Sequence, residues 1–232
     1  MSHVRSPAAA PLHVGPLRLW TPVVLAPMAG VTDAPFRRLC RIMGESGLPG
    51  ALRPAGLPAW AADAPPGADA SSQMDPEAGT ARRVAIPRVD APAGLYVTEM
   101  VTSRALVEGN ERTLDMVRPD PAERVRSLQL YGVDPAVMAR AATMLVERDL
   151  TDHVDLNFGC PVPKVTKKGG GAALPWKRDL FVDLLDSVVR ACRKAGERAG
   201  REIPVTVKIR IGIDSSHRSE EHTSELQSHS EI

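Results

Sequence analysis

Compact apolar runs recur along this chain, and most are followed by residues whose apolar positions repeat at helical spacing. Leu12 to Leu19 predicts a short opening hairpin. Val23 to Ala26 reads as a buried strand. After the turn PMAG, Thr32 or Asp33 can cap a helix with Pro35 in its first turn, running to about Met43. Leu95 to Thr98 predicts a strand and Ser103 to Glu108 a short helix. Val125 to Leu130 predicts the next strand, ending in Tyr131-Gly132. Asp134 caps a helix that starts at Pro135 and continues to about Arg148. Val154 to Asn157 is a strand, Asp179 to Ala199 a long amphipathic helix, and Val205 to Ile211 a further strand.

The stretch from Gly44 to Ala93 breaks this rhythm. It is dominated by Ala, Pro and Gly without a sustained period, and it predicts a mobile or disordered loop insertion. Loops beyond about 15 residues without structure are uncommon inside compact domains, so the segment counts as an addition to the core.

Alternating strands and helices imply parallel pairing with right-handed crossovers. A doubly wound sheet and an eight-stranded barrel both fit. The unusual residues favour the α/β (β/α)8 TIM barrel, because PMAG, TEM, QLYG, NFGCP and KIRIG all fall at the C-terminal ends of strands, the rim where barrels build their chemistry. No dinucleotide-binding glycine fingerprint follows the first strand, which weakens the doubly wound alternative.

Composition narrows the function classes. A 43% hydrophobic and 25% charged chain of 232 residues is an ordinary globular mixture. The net charge of +1 gives no global signal for nucleic acid, although a local basic patch is compatible with it. Aromatics at 3% argue against a broad base-stacking platform. The three cysteines are too few and too odd for a disulfide framework and suit a reducing cytoplasm. The start shows no secretory signal, and no apolar run is long enough to span a bilayer.

Among candidate chemical groups, Cys160 stands first. It lies just past the strand VDLN in NFGCP, where Gly159 permits a tight turn and Pro161 fixes the backbone. A thiol there could donate a proton, or attack as a thiolate. Packing as a small hydrophobe is the alternative, and it is the reading for Cys40 and Cys192. Lys208 and Arg210 alternate along VTVKIRIG and share one side of the strand. Facing a barrel interior they would need anions or acceptors, and facing outward they would simply be solvated. Gln129 lies between two leucines, and Asn157 ends its strand; each needs hydrogen-bond partners, from a ligand or from the core. The loop PVPKVTKKGGGAALPWKR carries Lys164, Lys167, Lys168, Lys177 and Arg178 beside Cys160. Gly169 to Gly171 predict flexibility, and mobile cations at a rim suit an RNA backbone, though a solvated loop is the default.

Taken together, LAPMAGVTDAPFRRLCR, YVTEMVTSRAL, SLQLYG, VDLNFGCPVPKV, KKGGGAAL and VKIRIG resemble, in order and approximate spacing, the tRNA-dihydrouridine synthases, with the bacterial type B subgroup most similar. The resemblance covers roughly residues 12 to 214 apart from the insertion. It implies an FMN-binding barrel, followed in the family by a small helical tRNA-binding domain. It implies that Pro27, Met28, Ala29 and Gly30 cradle the flavin ring, that Gln129 and Lys208 contact it, that Asn157 and Arg210 place the flavin or the target base, and that Cys160 is the general acid. The implied reaction is reduction of uridine to 5,6-dihydrouridine in tRNA. NADPH, or NADH, reduces FMN, hydride reaches C6 of a flipped-out uracil, and Cys160 protonates C5. The implied setting is a cytoplasmic, metal-free protein, monomeric at full length, with tRNA as partner and Lys164, Lys167 and Lys168 on its backbone.

On this comparison residues 1 to 214 form a partial barrel that stops after about its fifth strand. The family's later histidine-bearing motif, its phosphate-binding glycine turns and its helical domain do not follow, so this chain by itself is expected to be inactive. The segment 215–232 contains RSEEHTSELQSH, which resembles a translated sequencing adapter and is expected to be foreign. Two other readings stay open at this point: another FMN barrel oxidoreductase of the dihydropyrimidine or dihydroorotate dehydrogenase kind, and a non-catalytic fragment with weak RNA affinity.

Overall fold

A computed structural model describes residues 10–48 and 88–210. The centre of the Ala/Pro/Gly-rich stretch, the last residue of the final expected strand and the tail after Asp214 lie outside the described residues.

The chain opens with a hairpin, β1 (Leu12–Val14) and β2 (Leu17–Leu19), antiparallel and turning at Gly15 with φ +55°. β3 (Val24–Leu25) leads into α1 (Ala34–Ser46). Asp33 caps this helix by accepting from the Phe36 N–H at 2.9 Å, and Pro35 sits in the first turn. β4 (Asp90–Ala91) pairs parallel with β2, and β5 spans Leu95–Thr102. Two short helices follow, α2 (Ser103–Val107) and α3 (Glu111–Met116). β6 (Ser127–Tyr131) precedes α4 (Pro135–Glu147), whose cap Asp134 accepts from the Val137 N–H at 3.1 Å. β7 (His153–Phe158), the short α5 (Pro163–Thr166), a 3-10 turn at Gly171–Trp176, α6 (Arg178–Arg198) and β8 (Val205–Ile209) complete the series.

The main sheet runs β3-β5-β6-β7-β8, every neighbouring pair parallel and in chain order. A doubly wound sheet reverses its order at a switch point; this one does not, so the five strands are consecutive members of a (β/α)8 barrel. Its helix-covered side holds the core: Leu128, Leu130, Val154, Leu156 and Phe158 from the strands meet Met138, Ala141, Ala142 and Leu145 of α4 and Leu184, Val188 and Cys192 of α6. Leu17, Leu19, Ala91 and Leu95 form a smaller cluster, contributed by β2, β4 and the first residue of β5.

Several expectations are corrected. β3 is not buried: Val23 and Val24 are 55% and 49% exposed, because among the described residues the strand pairs only with β5. Both ends of the supposed insertion are regular structure, since α1 reaches Ser46 and Asp90–Ala91 form β4. β5 continues through TEM to Thr102, with a register shift between Val97 and Met100. The glycines of the glycine-lysine loop are packed rather than open to solvent: Gly169, Gly170 and Gly171 are all buried where α5 leads into the 3-10 turn.

Candidate active site

Strand parity builds the site. Side chains alternate between faces, and the leucines and valines of β6 and β7 occupy the helix side. Ser127, Gln129 and Tyr131 of β6, and His153, Asp155 and Asn157 of β7, therefore share the opposite, inner face. Register aligns Met100 with Gln129, Ser127 with His153, Gln129 with Asp155, Asp155 with Thr206, and Asn157 with Lys208. Val205 and Val207 pack against the core, which leaves Thr206 and Lys208 on the inner side. Lys208 is thus on the face that the sequence pattern assigned to it, and it is solvent-exposed because β8 ends the described sheet.

A chain of hydrogen bonds crosses this face. Ser127 Oγ lies 2.7 Å from His153 Nδ1, and His153 Nε2 lies 2.9 Å from Thr206 Oγ1. Thr206 donates to Asp155 Oδ1 at 2.6 Å, and Gln129 Nε2 donates to Asp155 Oδ2 at 2.6 Å. Asn157 Nδ2 donates to Gln129 Oε1 at 2.9 Å and approaches Met100 Sδ at 3.3 Å. Asn157 Oδ1 accepts the backbone N–H groups of Gly159 (3.2 Å) and Cys160 (2.9 Å). Burial pushes the His153 imidazole down to about 4. Burial also raises the Asp155 carboxyl above the usual carboxylate value, opposed by the hydrogen bonds from Thr206 and Gln129 and by the charge of Lys208.

Cys160 is half-buried at the end of β7, and its backbone is held from two sides. Its N–H goes to Asn157, and its carbonyl accepts from the Ala172 N–H at 3.0 Å. Gly171, at φ +56°, lies so close that a Cβ there would stand 2.3 Å from the Cys160 carbonyl oxygen. The glycine run is thus a close-approach device. Gly159 serves a related purpose: a Cβ would sit 3.1 Å from the Ile209 carbonyl carbon and 3.3 Å from the Arg210 nitrogen, at the end of β8. Its value is proximity between strand ends rather than a tight turn.

At the end of β3, Pro27 is half-buried while Met28, Ala29 and Gly30 are exposed. Gly30, at φ +74°, donates its N–H to Glu99 Oε2 of β5 at 2.6 Å, tying this turn to its neighbour. Gln129 is fully buried, with its amide shared between Asp155 and Asn157. Arg210 follows β8 and is exposed. Lys164, Lys167 and Lys168 are exposed on and just after α5, and Lys177 and Arg178 are exposed at the start of α6. Cys192 is packed in the core, its thiol pushed up to about 12 by burial, and Cys40 is half-buried on α1. Among the described residues no cluster of three His, Cys, Asp or Glu could hold a metal, and no helix is long and apolar enough to cross a membrane.

Sequence reasoning missed Ser127, His153, Asp155, Thr206 and Glu99. A signal was present. Each inner-face strand is polar at every second residue, as S-Q-Y, H-D-N and T-K, and that alternation marks a polar interior as clearly as the leucines mark the core.

The sequence model of the dihydrouridine synthase family matches residues 24–228. A probable tRNA-dihydrouridine synthase of Mycobacterium tuberculosis is 43% identical over 220 residues, which is 94% of this chain and 44% of the relative. A probable tRNA-dihydrouridine synthase of Mycobacterium leprae is 48% identical over 196 residues, 84% of this chain and 44% of the relative. The tRNA-dihydrouridine synthase B of Pseudomonas aeruginosa is 32% identical over 208 residues, 90% of this chain and 45% of the relative. The chain therefore spans less than half the length of these relatives. With the family model covering most of a chain whose parallel strands carry a cysteine clamped at one strand end, the protein belongs to the dihydrouridine synthase family.

Proposed function

We propose that this chain is part of an enzyme that reduces uridine to 5,6-dihydrouridine in tRNA, with Cys160 as the proton donor to C5 of the target base. The observation that carries the reading is the fixed Cys160 loop, hydrogen-bonded to Asn157 on one side and Ala172 on the other, in a chain of this family. A general acid must be held within hydrogen-bond reach of the atom it protonates, and a clamped backbone limits where the thiol can swing.

The donor set at the strand ends suits a flavin, a flat ring edged with carbonyl acceptors and N–H donors. Gly30 is exposed and has open space around it, Asn157 is half-buried, and Lys208 presents an exposed ammonium. We assign Pro27, Met28, Ala29 and Gly30 to the ring's cradle and Lys208 to its polar edge. Gln129, which the resemblance also assigns to the ring, is fully buried here and bears on it through the half-buried Asn157 amide. Asn157 and Arg210 position the ring or the uracil. FMN, reduced by NADPH or NADH, is the hydride source in this reading. Lys164, Lys167 and Lys168, all exposed beyond β7, meet tRNA phosphates. The setting is the cytoplasm, where tRNA is processed.

The proposal concerns the whole protein. The 232-residue chain alone is proposed to give no turnover. The test is mass spectrometry of dihydrouridine in tRNA from cells lacking the gene, complemented with the whole gene or with its Cys160→Ala form. Complementation should restore dihydrouridine, and the variant should lose about 10²–10⁴-fold in rate, the usual weight of a general acid. Dihydrouridine that is unchanged by deleting the gene would remove the reading.

A further inference from the structure

We infer that Asp155 is a positioning residue, which orients the side-chain amides of Gln129 and Asn157 and through them holds the Cys160 loop. The inference rests on the proposed role of Cys160 for its functional meaning, but not for its test.

An amide has two faces, a carbonyl that accepts and an NH₂ that donates, and rotation by half a turn exchanges them. Inside a protein something must choose. A carboxylate can only accept. Asp155 is nine-tenths or more buried, and its Oδ2 faces Gln129 Nε2 at 2.6 Å. Gln129 must therefore turn its NH₂ toward Asp155, which points Oε1 toward Asn157. Asn157 must answer with its own NH₂, at 2.9 Å, and so its Oδ1 faces the loop. There it accepts the N–H groups of Gly159 and Cys160. If either amide were reversed, an NH₂ would confront an N–H or a carbonyl would confront a carboxylate, both repulsive and both buried.

The other oxygen of Asp155 fixes a second branch by the same logic. Thr206 spends its hydrogen on Asp155 Oδ1, so its lone pair takes the proton of His153 Nε2. His153 Nδ1 is then an acceptor, and Ser127 donates to it at 2.7 Å. One carboxylate thus sets the direction of both branches, and only the Gln129 branch reaches the cysteine loop.

The reversal of roles supplies the test. In Asp155→Asn the acceptor-only end is gone. In the double variant Asp155→Asn with Gln129→Glu, the carboxylate moves one step along. The carboxylate introduced at position 129 then accepts from the new amide at position 155 and from Asn157, and the orientation of Asn157 is restored. Hydrogen exchange of the Gly159 and Cys160 amides in the full chain without flavin reads the loop directly. We expect exchange about tenfold faster in Asp155→Asn, the loss of roughly one hydrogen bond's worth of protection, and return to within about twofold in the double variant. Thr206→Val removes the other branch, so it should lower the melting temperature while leaving these two amides at the wild-type ratio to the core. Equal exchange in Asp155→Asn and wild type, or no rescue by the double variant, overturns the inference.

Should the variants fold poorly, the unmodified chain answers by nuclear Overhauser effects. The Asn157 side-chain NH₂ should show contact with the Met100 methyl group, since Nδ2 lies 3.3 Å from Sδ. Contact with the Gly159 and Cys160 amide protons alone would mean a reversed amide and would refute it. Loss of dihydrouridine formation with this exchange pattern intact would fault the proposed reaction, not the relay.

Discussion

His153 shows how one residue can set the pH range of a protein. It is 1% exposed, sits between two hydroxyl groups, and is held as the neutral ring. Its folded-state value of about 4 lies below the 6.5 expected when unfolded, so the folded state binds fewer protons between those limits. The stability this contributes is complete above about pH 6.5 and is lost as pH falls toward 4, a swing of roughly 3 kcal/mol at most. Urea unfolding at pH 7 and pH 5 should show the drop, and His153→Gln should flatten that part of the profile. Asp155 works in the opposite sense. Its raised value means the folded state binds more protons just above the ordinary carboxylate range, so its ionisation costs stability as pH rises through that window. Gly171 is a steric residue instead. Gly171→Ala would place a methyl group against the Cys160 carbonyl and demand a left-handed backbone, at a cost of about 1–3 kcal/mol. Thermal melting together with the alkylation rate of Cys160 would measure both effects, and an unchanged melt would contradict the close approach.

Among the elements, α1 reverses the usual pattern. Its buried residues are Arg37, Arg41 and Glu45, spaced four apart, while Leu39 and Met43 are 49% and 43% exposed. Arg37 reaches Glu123 at 2.6 Å and the Thr32 carbonyl at 2.8 Å, and both partners of the ion pair are almost wholly buried. Removing one member strands the other. Arg37→Met should therefore cost on the order of 3 kcal/mol, and a second change, Glu123→Leu, should recover most of it. Denaturant titration of the pair would check this; additive losses would argue against the buried contact. Leu39→Lys, by contrast, should be near neutral. This helix also marks the limit of what the sequence disclosed. Caps at Asp33 and Asp134 and the apolar runs of β6 and β7 were legible because they depend on neighbours in the chain. Which face of α1 is inward was not, since it depends on Glu123, which is 86 residues away from Arg37. β4 stayed hidden for a similar reason: Asp90–Ala91 is a strand only because β2 pairs with it. Cys160, Asn157, Gln129 and Lys208 were legible as candidates from their strand positions, whereas Asp155 and Thr206 needed the register between β7 and β8.

At the scale of the molecule, the five parallel strands divide labour between two ends. Arg88, Arg126 and Arg201 converge on Asp149 and Asp152 where β7 begins, a network of ion pairs that ties together the N-terminal side of the sheet. The cysteine loop, the PMAG turn and the exposed lysines are at the other end. On the proposed function, reversing charge at Lys164, Lys167 and Lys168 should weaken tRNA binding by the whole protein without lowering its melting temperature. It should also flatten the salt dependence of binding, by up to about 0.9 per lost phosphate contact in a log–log plot if duplex values apply. Filter binding across a salt series would show this, and an unaltered slope would remove these lysines from the interface.

The order of strands has a consequence in time. A chain leaving the ribosome presents β6 and β7 before β8, and a domain folds as a unit once its parts are out. Until β8 arrives, His153 Nε2 and Asp155 Oδ1 have no Thr206 to meet, and the polar edge of β7 that faces β8 stays open. A nascent chain halted before Thr206 would keep two polar groups thirsty on a surface meant to close, and water would be their only partner. The arrival of the β8 threonine closes the seam between β7 and β8, while the side-chain bonds that hold the cysteine loop run through β6 and β7 and do not wait for it.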